Sequence, residues 1–276
     1  LEAAHGVHQI AVASMVRVVQ SVSSERGRDP SGFTLVAFGG NGPVHAALVA
    51  AELGIPRVIV PPRPGLFSAF GLLVAEPAHH FSRSILRRTS SLAPGDLAAA
   101  FRGVESTALA TLRRDGHDLD RIVLTRAVDL RYAGQSFELR LALTDDDLTR
   151  STMDEIDRRF GDEHERTYGH RADDDPVEIV HLRVTATARE PAREHRSDGS
   201  SVPDAVPPAP ARIRQAYFGR DVGVVETPVV DRAAIGADGR NGPIIVEEYD
   251  ATTVVPPGCR LWRDAANNLV IEIGKR

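Results

Sequence analysis

One cysteine, Cys259, stands in 276 residues, so no internal disulfide can form and no cysteine cluster is available for zinc. Long apolar runs are missing as well. Nothing approaches the roughly twenty residues a membrane helix needs, and no signal peptide is visible. The formal charge is only −5, which gives no hint of a nucleic-acid partner. Aromatic residues make up 5% of the chain, with a single Trp. What remains is an ordinary globular composition, long enough for one large domain or two to three small ones, and a cytoplasmic compartment is expected. The chain opens at Leu1, without Met, already in a helical pattern. It reads as a fragment lacking an N-terminal part.

Against these absences, one stretch concentrates glycine. Residues 34–38 (Thr-Leu-Val-Ala-Phe) form a short apolar run with strand character. Gly39, Gly40, Asn41 and Gly42 follow, then Pro43, which suits a first helical turn because its missing N–H would be unpaired there. The helix continues to Leu53 and ends at Gly54. Strand, glycine turn and helix N-terminus together place unpaired backbone N–H groups where an anion or nucleotide can approach. The spacing is neither a P-loop nor the dinucleotide fingerprint. Tight strand–helix packing explains the same glycines, and both readings stay open. His45, one turn into the helix, can approach a ligand or make a capping or interlobe hydrogen bond.

Around this stretch the pattern alternates helix, strand, helix, strand. Val7, Ile10, Ala11, Met15, Val18, Val19 and Val22 draw one apolar face on a helix over about residues 2–25. Residues 57–60 form a second short strand, which implies a parallel α/β layer with helices on its faces. Residues 64–75 are small and apolar throughout and predict a helix buried against that layer. Residues 89–191 read as an α+β domain, with helices at 96–114 and from Thr144 to about Tyr168, and strands at 126–132, 137–141 and 177–188. A linker is expected at 192–211 from its Pro, Ser, Asp and charge content. Short strands beyond it predict a small all-β domain over 212–276.

The ordered motifs resemble a known family. Glu25-Arg26-Gly27 with Asp29-Pro30, the run from Val36 to Ala46, Leu53-Gly54-Ile55-Pro56 and Gly65-Leu66-Phe67-Ser68-Ala69 look like the C-terminal part of hydantoinase A. Arg131 to Phe137, Tyr168-Gly169 and Gly242 to Glu247 continue the likeness in the same order. The family is the hydantoinase A/5-oxoprolinase group, which includes N-methylhydantoinase subunits and related subunits of ATP-dependent ketone carboxylases. The resemblance implies an actin-like, sugar-kinase-like ATPase lobe over residues 1–88. It also implies ATP with Mg²⁺, phosphoryl activation of a small cyclic amide before ring-opening hydrolysis, and a hydantoinase B-like partner subunit or domain. On this reading Gly39, Gly40, Asn41, Gly42 and His45 line the nucleotide side, with Asn41 where the family commonly shows Ala. The phosphate loops, catalytic base and metal ligands fall upstream of Leu1, and none is assigned here. Ketone carboxylation and a non-catalytic docking scaffold are the alternatives.

Other candidates carry blander expectations. His79 and His80 are adjacent and point apart in regular structure, against a metal pair. His164 and His170 flank a helix end and are expected in solvent. Arg131, Tyr132 and Gln135 surround a tight turn and are expected to hold it. Ser68 is not in a nucleophile elbow. Cys259 is expected as a small packing residue.

Overall fold

The computed structural model describes residues 1–93, 95–189 and 212–274. They form two compact units, one of residues 1–74 with 212–274, the other of residues 75–189. The expected linker at 192–211 lies outside the described residues.

The first unit opens with α1 (Glu2–Val22), β1 (Thr34–Val36), α2 (Gly42–Glu52), β2 (Arg57–Val60) and α3 (Phe67–Val74). The second holds β3 (Ala78–Arg88), α4 (Asp96–Arg114), β4 (Ile122–Tyr132), β5 (Leu139–Leu143), α5 (Asp145–Thr149), α6 (Met153–Tyr168) and β6 (Val177–Ala188). The chain then returns to the first unit with β7 (Arg212–Tyr217), β8 (Val224–Val230), β9 (Arg240–Asn241), β10 (Ile244–Glu247), β11 (Thr252–Val255), β12 (Arg260–Arg263) and β13 (Leu269–Glu272).

In the first unit, β1 and β2 are parallel, as the helix–strand alternation predicts. The rest of their sheet comes from the far end of the chain, in the order β1-β2-β13-β12-β9. This departs from the expected separate domain over 212–276. Val58 and Val60 of β2 are fully buried and need a strand on their other side. β13 supplies it, with Leu269, Val270 and Ile271 buried in succession as in a central strand. A second sheet, β11-β10-β8-β7, packs through β11 on α2.

Two helices of this unit differ from expectation. Helix α1 turns Val12, Val16 and Val19 to the core, whereas Val7, Ile10 and Val18 are 66–69% exposed. Its apolar residues run round more than one face, so spacing alone does not choose the inward one. Helix α3, expected to be buried, has no buried residue, and Leu72 is 80% exposed.

The second unit is an antiparallel sheet, β3-β6-β4-β5, with α4 and α6 supplying the other half of one core. It begins at residue 75 rather than 89, because β3 pairs along β6 from Ala78↔Thr187 to Arg88↔Glu178. The expected helix from Thr144 to Tyr168 is broken into α5 and α6. Thr152 caps a new start, its hydroxyl accepting from the N–H of Glu155 while Glu155 accepts from the N–H of Thr152.

Candidate functional site

Just past β1, the Ala37 N–H donates to the Ile59 carbonyl at 2.8 Å, extending the parallel pair to the turn. Gly39 then adopts φ +83°, a left-handed conformation that a side chain would strain, and its N–H donates to the Pro64 carbonyl at 2.7 Å. Helix α2 starts at Gly42, with Asn41 at its N-cap and no side chain capping it. The three glycines do different work. A Cβ on Gly40 would lie 3.4 Å from the Asp250 carbonyl oxygen, whereas one on Gly42 would meet nothing within 4 Å. Backbone conformation therefore accounts for Gly39, while at Gly40 a Cβ would sit in ordinary contact with Asp250 and only a larger side chain would be crowded. Neither constraint accounts for Gly42.

Two loops wall the turn. Arg63, exposed and at φ +51°, leads into Pro64 and Gly65. Gly65 presses so closely on Asp250 that a Cβ would stand 2.4 Å from its carbonyl oxygen. The Leu66 N–H donates to Asp250 Oδ2 at 3.2 Å. Behind both loops sits Arg232, a buried guanidinium that no sequence signal marked. Its Nε and Nη2 donate to Glu248 at 2.7 and 2.8 Å. It also donates to the carbonyls of Val60, Pro61 and Asn267. A planar fork of five N–H donors is the one side chain able to tie so many acceptors at once. Arg232 thus fixes the loop after β2 and the loop that carries Asp250.

His45 stacks on His8 of α1, ring centroids 4.7 Å apart, and its buried Nδ1 has no hydrogen-bond partner among the described residues. Burial, then the charges of His45 and His5, hold the His8 imidazole below its ordinary pKa. Gly39, Gly40, Asn41 and Gly42 are brought together at the head of α2, and His45 lies one turn on, against α1.

The remaining candidates resolve simply. His79 meets Asp115 at 3.3 Å and His80 meets Thr185 at 3.0 Å, so the two rings do point apart. His164 is not in solvent but buried at 1% exposure. Its Nδ1–H donates to the His170 carbonyl at 2.7 Å, which leaves Nε2 to accept from Gln135 at 3.1 Å. An amphipathic helix can close its inner face with an imidazole whenever both ring nitrogens find partners, which residue type alone does not reveal. Gln135 also accepts from the Tyr132 N–H, and Arg131 pairs with Glu178, so this turn is held by its own residues. Cys259 is buried, and burial pushes its thiol pKa up, away from nucleophilic use. Among the described residues, one group has metal-like spacing: Asp129, Glu138 and His181. Asp129 is already paired with both Arg140 and Arg183, and two guanidiniums repel a cation.

Residues 1–81 match the model of the hydantoinase/oxoprolinase family, and residues 87–271 match that of its C-terminal domain. The chain belongs to the hydantoinase/oxoprolinase family. An uncharacterised protein of Methanocaldococcus jannaschii is 30% identical over 98% of the chain and 38% of its own length. Caprolactamase subunit alpha of Pseudomonas jessenii is 29% identical over 95% of the chain and 38% of its own length. The crystal structure of the ATP-dependent caprolactamase from that organism superimposes with a TM-score of 0.81 at 26% identity, covering 99% of this chain and 40% of that one. An acetone carboxylase beta subunit and a 5-oxoprolinase are matched more distantly, at 24% each. The chain therefore spans about two fifths of the two curated relatives matched first. Among the described residues no helix is long and apolar enough to cross a membrane.

Proposed function

We infer that this chain is the C-terminal portion of an ATP-dependent cyclic-amide hydrolase subunit, of the kind that phosphorylates an amide to prepare it for ring opening. In this reading the first unit is part of an actin-like ATPase lobe, working in the cytoplasm with a hydantoinase B-like partner. Gly39, Gly40, Asn41, Gly42 and His45 form its nucleotide side. The observation that carries it is Gly42: among the described residues the head of α2 has no side-chain cap, and a Cβ on Gly42 would meet nothing within 4 Å. Backbone N–H groups at a helix start suit a phosphate or ribose oxygen, and a missing Cβ lets such a ligand come close. The caprolactamase relative is ATP-dependent by name, which supports the nucleotide.

An amide is a poor electrophile because resonance spreads its carbonyl density. Phosphorylating the oxygen turns it into a leaving group, and that transfer needs chiefly positioning and charge neutralisation. Mg²⁺ would supply the neutralisation. Asp250, the carboxylate beside the turn, already accepts from the Leu66 N–H, so no residue here is assigned to the metal. Ketone carboxylation stays as the second reading, since acetone carboxylase is a relative.

Gly42→Ala separates ligand from architecture, because the added Cβ would meet nothing within 4 Å among the described residues and Gly42 is not in the left-handed region. Nucleotide affinity should fall at least about tenfold, roughly 1.4 kcal/mol, while the unfolding midpoint stays put. Affinity equal to wild type, measured by calorimetry on the same samples, would return the turn to plain packing. Gly40→Val is the poorer probe, since it also presses on Asp250. The chain by itself should hydrolyse no ATP, and a metal-dependent turnover by the purified 276 residues would contradict that.

A further inference from the structure

We propose that the face of the β3-β6-β4-β5 sheet turned away from α4 and α6 carries an oxyanion site, built on Arg140 and Arg183, for inorganic phosphate or the phosphate group of a small monoester. It uses no residue of the glycine turn and stands independently of any nucleotide there.

Strand pairing lays two rungs of side chains across this face. One runs Ser84, His181, Asp129, Arg140, a residue from each strand in turn. The next runs Ser82, Arg183, Ala127, Ala142. Members of adjacent rungs are two residues apart along each strand, so they share a face. Their neighbours Leu182, Val128 and Leu141 go to the core on the other side.

At the centre stands Asp129, only 3% exposed. Its two oxygens accept from Arg140 Nε, at 3.0 Å, and from Arg183 Nε. Each guanidinium thus spends one N–H on the carboxylate, and among the described residues its terminal nitrogens meet no acceptor. Arginines that only hold the fold are used differently here. Arg131 grips Glu178, and Arg232 grips Glu248, through Nε and Nη2 together. Two cations on one carboxylate leave that trio with a net positive charge, which a second anion on the outer side balances. The other acid nearby, Glu138, lies 3.8 Å from His181 Nδ1 and pairs with neither arginine among the described residues. His181 Nδ1 is buried, 3.7 Å from Asp129, without a hydrogen-bond partner among the described residues. The cluster is therefore anchored from below and has donors to spare above.

The donors define the ligand. Arg140 and Arg183 have side chains 60% and 37% exposed, so solutes reach them. Ser82 and Ser84 add exposed hydroxyls on the same rungs, while Ala127 and Ala142 add only methyls. A tetrahedral phosphate can give an oxygen to each planar fork and keep others for the hydroxyls, which a two-oxygen carboxylate cannot.

The test titrates inorganic phosphate, methyl phosphate and acetate into the 276-residue chain at constant ionic strength. Nitrogen–proton spectra of the arginine Nε–H groups are the readout, with the two signals assigned from Arg140→Lys and Arg183→Lys, so phosphate bound elsewhere on the chain does not count. The Arg140 and Arg183 signals should move together and saturate with a dissociation constant of about a millimolar or tighter. Arg140→Lys keeps the charge but loses the fork, and should weaken binding at least about fivefold. Ala142→Glu, at an exposed position, sets a carboxylate beside the forks without touching the partners of Asp129, and should abolish saturation. Unfolding midpoints check that both variants are folded. Methyl phosphate binding as well as inorganic phosphate would point to a monoester, and much weaker binding to free phosphate. Shifts that never saturate, that persist in Ala142→Glu, or that acetate matches at equal concentration would overturn the proposal.

Discussion

Helix α4 buries Leu97, Phe101, Val104, Ala108 and Leu112 along its 19 residues, whereas α1, with 21, buries Val12 alone and α3 buries nothing. Composition does not explain the contrast, since α3 is the most apolar of the three. The difference is in what each helix faces. In residues 75–189 a sheet is present to receive the apolar stripes of α4 and α6, and Phe101 and Phe160 vanish into one core. In the other unit the sheet is already satisfied by α2 and the inner face of α1. Burial thus reports the partners available to a helix as much as its own pattern.

The contrast can be broken first at Arg232. Arg232→Ala removes one partner of a buried ion pair and strands Glu248 with three backbone carbonyls, which should cost about 3–5 kcal/mol. Chemical denaturation should show the first unit unfolding early while the transition of residues 75–189 keeps its midpoint. A common shift of both transitions would show that the two units do not unfold separately.

A middling effect is expected at Asp147, which closes the capping box of α5 and also pairs with Arg159. Burial pulls its pKa upward, but the Thr144 N–H, the Arg159 guanidinium and the Thr144 hydroxyl together hold it below the ordinary value of 3.8. A folded pKa below the unfolded one means the stabilisation is complete above about pH 4 and is lost as pH falls through the folded pKa. Asp147→Asn should therefore cost about 1 kcal/mol at neutral pH and flatten the acid limb of the stability curve. Thermal melts from pH 7 down to pH 2 check both parts. An acid limb as steep as that of the wild type would assign the loss to other carboxylates.

The smallest effect sharpens the comparison most. Val18→Lys on the open face of α1 should change stability by less than about 0.5 kcal/mol in the isolated chain. Val104→Lys, at an equally apolar position of α4, should cost several times as much, because it buries an unpaired ammonium. Similar losses at the two sites, read from paired denaturant titrations, would show that α1 is covered in solution.

Much of the second unit was legible because its signals are local. Alternation placed β6, a 3-4 spacing placed α4, and Thr144 announced α5. The break before α6 escaped because Arg150 and Ser151 do not forbid a helix; it is the second capping box, Thr152 with Glu155, that makes a fresh start. At the site, the glycine turn was readable from Gly39 to Pro43, since strand, turn and helix start follow one another directly. Its walls were not. Asp250 and Arg232 reach it from some 180 residues away, through contacts that no local pattern encodes. The union of β2 with β13 was missed for the same reason.

That union sets a timetable for synthesis. β2 leaves the ribosome with one flank of its sheet paired to β1, and Leu269, the partner of Val60, is made about 200 residues later. At the usual ~5–20 residues per second this is roughly 10–40 seconds. Residues 75–189 are completed within that interval and can fold while the nascent chain still holds Val58 and Val60 uncovered. The stretch most exposed to a waiting chaperone is therefore the apolar run from Val58 to Val60, and its release is timed by the last strand to emerge.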